Sequence, residues 1–170
     1  MTPPRVVVLA WGNPSRGDDA LGPEFLARAE PLATGAAGAF EFVTDFQLQP
    51  EHAIDLDGRE LALFVDASRA LASPIAFSEV QPRRDETFTT HGMSPAAVLA
   101  AFRAAFGREP PPAFQIAIAG VGFELGAPMS KEAERHLDAA IDLFVRLAAT
   151  PSAADWRTLA QSAQGASLRR

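Results

Sequence analysis

Val6-Val7-Val8-Leu9-Ala10-Trp11-Gly12-Asn13-Pro14-Ser15-Arg16-Gly17-Asp18-Asp19-Ala20-Leu21-Gly22-Pro23 is the stretch that decides the fold class. Its first five residues form a continuous apolar, mostly β-branched run, the pattern of a strand covered on both faces in a parallel sheet. The chain then turns at Gly12, Asn13 and Pro14. Gly12 and Gly17 accept backbone angles that side chains resist, and Asn13 can bond its own backbone or brace a neighbouring loop. Pro23 suits the first turn of a helix that carries Phe25, Leu26 and Ala29. Strand, shaped loop and helix in this order predict an α/β unit with Asp18 and Asp19 in the crossover. In open α/β sheets that edge, at the carboxyl ends of the strands, is where ligands bind.

The pattern continues outward. Phe40-Glu41-Phe42-Val43-Thr44 predicts a second strand, and Pro50 opens a short helix through Ile54 and Leu56. Leu61 to Val65 is another buried strand run, closed by Asp66. Ile75 to Val80 alternates apolar and polar residues, which suits an edge strand that can run antiparallel. Ser94-Pro95 starts a helix with Val98, Leu99, Phe102 and Phe106 on one face, and Gly107 stops it. Phe114 to Ala119 is the last strand, followed by a loop rich in glycine. Ser130 caps a long helix whose Ala133, Leu137, Ala140, Ile141, Phe144, Val145 and Ala148 are expected to share a face. The expected fold is α/β: a three-layer, doubly wound, mostly parallel sheet of about five strands with helices on both faces. Residues 1–150 are expected to form a single domain. Residues 151–170 read as a short extension, an amphipathic turn around Trp156 and Leu159 with a frayed polar end.

Composition limits the function. The chain has 170 residues, 48% of them hydrophobic, which suits one domain with a sizeable core. A net charge of -6 argues against general binding to nucleic acid or anionic membranes, which needs a basic patch. Only Arg83-Arg84 and Arg169-Arg170 place two basic residues side by side. Without cysteine there are no disulfides or thiolate ligands, so a metal would have to be held by carboxylate, imidazole, amide or water. The first strand begins almost at once, without a basic leader and apolar core, and no later run is long enough to span a bilayer. A cytoplasmic protein is expected.

Asp18, Asp19, Asp66 and His91 form the candidate site. The two adjacent acids follow the first strand, Asp66 ends the third, and His91 stands in Thr89-Thr90-His91-Gly92-Met93 ahead of the capped helix. A parallel arrangement brings these loops to one rim. Carboxylates and an imidazole suit a divalent transition metal with open positions, and they equally suit acid/base work, because closely placed acids push each other's pKa apart. Taken singly, each residue has a plainer explanation: helix capping for the Asp pair, an Asx turn for Asp66, a backbone-bonded histidine for His91. It is their convergence on one edge that points to a site. His52, with Gln47, Gln49 and Glu51, also follows a strand and suits either the cleft or a solvated helix start. His136 reads as a surface or boundary histidine beside the last helix. Ser15 and Ser68 lack a nucleophile elbow, and the Gly12–Gly17 loop lacks the Lys-Ser/Thr of a phosphate loop.

At these residues the chain resembles the nickel-iron hydrogenase maturation endopeptidases. The likeness rests on Gly12-Asn13 with Asp18-Asp19 and Gly22, on Asp66 after Leu63-Phe64-Val65, and on His91 before Ser94-Pro95, and it spans residues 5 to about 149. It implies a protease that removes the C-terminal extension of a hydrogenase large subunit after nickel insertion. Asp19, Asp66 and His91 then correspond to the metal-contacting positions. The metal is the nickel of the immature substrate, so no permanently bound cofactor is expected, and the partner is the nickel-loaded large-subunit precursor. Under this reading Asp18 orients the loop or acts as base for the attacking water, and Asn13 holds the loop or polarises the scissile carbonyl. The chain departs from many members at Gln47-Leu48-Gln49-Pro50-Glu51-His52, where they carry small, glycine-rich residues. That makes Gln49 and Glu51 candidates for substrate contact. Two other readings stay open: a metallohydrolase with its own metal acting on a small substrate, and a noncatalytic module that checks nickel loading.

Overall fold

The computed structural model describes residues 5–36, 39–85 and 92–167. Five strands make one sheet: β1 (Val6–Trp11), β2 (Phe40–Asp45), β3 (Leu61–Ser68), β4 (Ile75–Val80) and β5 (Ala113–Ala119). Their spatial order is β2-β1-β3-β5-β4. Every pairing is parallel except β4 with β5, so Ile75–Val80 is the antiparallel edge strand. The α/β, doubly wound, mostly parallel sheet expected from the sequence is therefore present. β2 and β3 flank β1 on opposite sides, so the strand order reverses at β1, and the carboxyl ends of β1 and β3 flank the switch point.

Alternation along the strands divides the interior into two cores. Val6, Val8 and Ala10 of β1, with Leu61, Leu63 and Val65 of β3, face α1 (Leu21–Ala29), α4 (Lys131–Ala149) and α5 (Ala153–Ser167). Val7, Leu9 and Trp11, with Ala62 and Phe64, face α2 (His52–Asp55) and α3 (Pro95–Phe106). The helix ends carry the expected signals. The Ser94 and Ser130 hydroxyls accept the N–H groups of Ala97 and Ala133, both at 3.1 Å, and Gly107 closes α3 at φ +64°. Helix α1 lies so close to β1 that a Cβ at Gly22 would overlap the Trp11 backbone carbonyl.

Two local expectations change. Strand β3 runs to Ser68, two residues past Asp66. The segment after Pro151, expected as a turn with a frayed end, is a fifteen-residue helix, α5. The signal for it is Ser152-Ala153-Ala154-Asp155, a serine cap whose hydroxyl accepts the Asp155 N–H at 3.2 Å. Trp156 anchors this helix. It is fully buried against Phe114, and its indole N–H donates to the Leu147 carbonyl at 3.1 Å. Pro151 thus ends one helix without ending the fold. Among the described residues no helix is long and apolar enough to cross a membrane.

Candidate functional site

Asp18 and Asp19 occupy a single 3-10 turn, Gly17–Ala20, between β1 and α1, and the turn sends their side chains to different tasks. Asp18 is completely buried. One of its oxygens accepts N–H bonds from Val121 at 2.7 Å and Gly122 at 3.0 Å, together with the Ser130 hydroxyl at 2.9 Å. The other accepts the Ser130 N–H at 2.7 Å. Burial by itself would raise the Asp18 pKa, but the Ser130, Val121 and Gly122 donors outweigh it and hold the carboxyl below the usual carboxylate range. Asp18 is thereby an ionised clamp between the β1 loop and the β5–α4 loop. Of the two roles raised for it, loop orientation is the one this geometry supports, since four donors already occupy the oxygens a base would need.

Asp19 turns the other way. Its side chain is half-buried, and one oxygen accepts the Asn13 N–H at 2.8 Å. A Cβ at Gly12, where φ is +146°, would overlap the Asp19 carbonyl, so glycine there lets the loop fold back onto the acid. The Asn13 side-chain oxygen accepts the Ser15 N–H at 2.9 Å, an Asx turn that leaves its amide nitrogen without a partner among the described residues.

Asp66 completes the described part of the site. Ala10 pairs with Val65, so the next step along the ladder puts Trp11 beside Asp66, both on the α3 side of the sheet. Burial pushes the Asp66 carboxyl up to about 7, and the negative charge of Asp19 adds to the rise against N–H donation from Ala67 and Trp11. The two acids therefore feel each other across the switch point. Two carboxylates that repel each other, one of them reluctant to ionise, are groups whose repulsion a cation would relieve.

His91 lies outside the described residues. The chain just after it is described. Gly92 has φ +74°, where a Cβ would press tightly on Gln47, and the Met93 N–H donates to the Leu48 carbonyl at 3.1 Å. The entry to α3 is thus anchored on the β2–α2 loop. Gln49 and Glu51 sit on that loop with exposed side chains. Their neighbour His52 is buried: its Nδ1 accepts the Gln49 N–H at 2.9 Å, and its Nε2 lies 3.4 Å from an Asp45 oxygen. His52 is a brace for the loop and does not line the cleft. His136 is another brace, its Nδ1 at 2.7 Å from the Ala119 carbonyl at the end of β5. Among the described residues no three histidine or acidic side chains converge on a metal position, and Asp19 with Asp66 make a pair. Sequence reasoning missed Ser130 as a partner of Asp18. The available signal was a helix cap that follows a glycine-rich loop at the same sheet edge.

Neither a protein-family model nor a curated protein matches the chain. Solved structures do. The NiFe hydrogenase maturation protease HycI from Thermococcus kodakarensis KOD1 superposes with a TM-score of 0.67 at 18% identity, covering 86% of this chain and 93% of that one. The hydrogenase maturating endopeptidase HybD from E. coli gives 0.62 at 21% identity, covering 82% and 88%. A hydrogenase 2 maturation peptidase from a Thaumarchaeota archaeon gives 0.59 at 21% identity, covering 84% and 96%. At these identities the likeness establishes a shared fold over most of both chains.

Proposed function

We propose that this chain is an endopeptidase that removes the C-terminal extension of a nickel-iron hydrogenase large-subunit precursor, using the substrate's nickel as its recognition handle. The observation that carries this reading is the mutual repulsion of Asp19, on the turn after β1, and Asp66, near the carboxyl end of β3, in a fold shared with solved maturation proteases. A divalent ion presented there relieves both the burial of Asp66 and its repulsion by Asp19, so metal-loaded precursor is favoured over empty precursor. His91 supplies the third donor, and imidazole beside carboxylate suits nickel. Asn13, whose amide nitrogen has no partner among the described residues, polarises the scissile carbonyl. Asp18 holds the loop on which Asn13 and Asp19 stand. Gln49 and Glu51 face outward from the adjoining loop toward the body of the precursor, and the reaction takes place in the cytoplasm.

The test is to incubate the nickel-loaded precursor with the protein and weigh both by mass spectrometry. A precursor shortened at its C-terminus is expected, with nickel-free precursor left intact. Asp19→Ala and His91→Ala should each slow cleavage by roughly 100-fold or more. Unchanged processing by both variants would remove the metal assignment. Stable association without loss of mass would make the chain a loading checkpoint, and a metal retained by protein purified without chelators would favour a metallohydrolase.

A further inference from the structure

A pocket of about 360 Å³ opens against the Asp18 clamp, lined by Arg69 just past β3 and by Val121, Phe123, Glu124 and Pro128 of the β5–α4 loop; through Asp18 it adjoins the turn that carries Asp19. Among the described residues Arg69 is its one cation. The guanidinium lies over the Phe123 ring, 3.9 Å from the centroid, and Arg69 is exposed. Stacking fixes the plane of the group while leaving its N–H edge open. Three surface arginines spend that edge on acids, Arg5 on Glu60, Arg103 on Glu109 and Arg157 on Glu79; Arg69 differs from the remaining ones in being stacked in a pocket. Arg69 makes no ion pair among the described residues, not even with Glu124 in the same pocket. The Asp18 charge at the pocket wall is already taken up by four donors. What remains is a pre-oriented fork, three residues past Asp66, between the apolar surfaces of Val121 and Pro128.

We infer that Arg69 is a specificity-determining residue that binds a carboxylate on the substrate polypeptide next to the cleaved bond. The inference rests on the proteolytic reading above and adds the chemistry of the peptide it takes. The carboxylate belongs to an acidic side chain of the extension or to the chain terminus, both of which present the same two oxygens to the fork.

Processing of the nickel-loaded precursor by Arg69→Ala and Arg69→Lys tests this, beside Arg135→Ala, which removes an equal charge from the exposed surface of α4. Arg69→Ala should raise KM roughly tenfold to a hundredfold with kcat within about threefold, Arg69→Lys should recover only part of the loss, and Arg135→Ala should match the parent. Replacing the acidic side chains of the extension by amides should reproduce the KM rise in the parent and abolish the further effect of Arg69→Ala, if a side chain is bound. Adding four alanines to the precursor's end should do so instead if the terminus is bound. Effects of Arg69→Ala that persist undiminished on both altered precursors, or an unchanged KM, would overturn the assignment. Calorimetric binding of the precursor separates the two readings. Loss of affinity in Arg69→Ala without cleavage by the parent would retain the carboxylate contact and discard the protease, and a precursor neither bound nor shortened would discard both.

Discussion

At the residue scale, Asp18 and Asp66 carry opposite pH dependences. Asp18 is held ionised by its donors, so its stabilising contribution is complete above the ordinary carboxylate range near pH 4 and disappears as pH falls through its lowered folded value. Asp18→Asn places an amide N–H against those donors and should cost about 2–4 kcal/mol at pH 7, a cost that shrinks on acidification. Asp66 behaves in reverse. Its folded pKa near 7 lies above the unfolded value of about 3.9, so the folded state binds the extra proton and stability falls as pH rises from about 4 to 7. In metal-free protein, Asp66→Asn should therefore be more stable than the parent by on the order of 2–4 kcal/mol at pH 8 and nearly equal to it at pH 4. Urea titrations across that range give both slopes, and parallel slopes for the two variants would contradict the geometry described for Asp18 and Asp66. The sequence placed Asp18 and Asp19 in the crossover between β1 and α1, where the structure has them. It could not show that Asp18 faces inward, because its partners lie more than a hundred residues away in the β5–α4 loop.

At the scale of elements, what was legible in the sequence was whatever local chemistry decides. The β-branched run of β1, the alternation in Ile75–Val80 and the serine caps at Ser94 and Ser130 each commit a segment without help from distant residues, and those elements are present as expected. Helix α5 went unread because Pro151 signals a stop more strongly than Ser152 signals a start, and because its anchor is tertiary: Trp156 is held by Leu147 and Phe114. Strand order was likewise not legible in detail, since the position of β5 between β3 and β4 follows from packing and not from pattern. The contact of α1 with β1 has a sharp consequence. Gly22 lies against the Trp11 carbonyl, so Gly22→Ala forces strand and helix apart in the loop that presents Asp19. A loss of about 2–4 kcal/mol by chemical denaturation is expected, far from the small gain that Gly→Ala normally brings inside a helix.

At the scale of the molecule, the sheet separates stability from the site. Trp156 belongs to the core formed with α1 and α4, whereas Asp66 and Trp11 lie on the opposite face with α3. Removing the indole empties space against Phe114 and leaves the Leu147 carbonyl without its donor. Trp156→Ala should therefore cost about 3–5 kcal/mol of unfolding free energy. The parallel ladder from β1 to β3 to β5 does not pass through that helix, so the placement of Asp19 and Asp66 is expected to survive in molecules that remain folded. The measurement is a denaturant midpoint paired with a processing rate taken well below the variant's melting temperature and normalised to the folded fraction. A lowered midpoint with a rate within about twofold of the parent is the expected result. A rate that falls with the midpoint would mean that α5 reaches the site through β5 and the Ala119 carbonyl held by His136, and that the two faces are mechanically one.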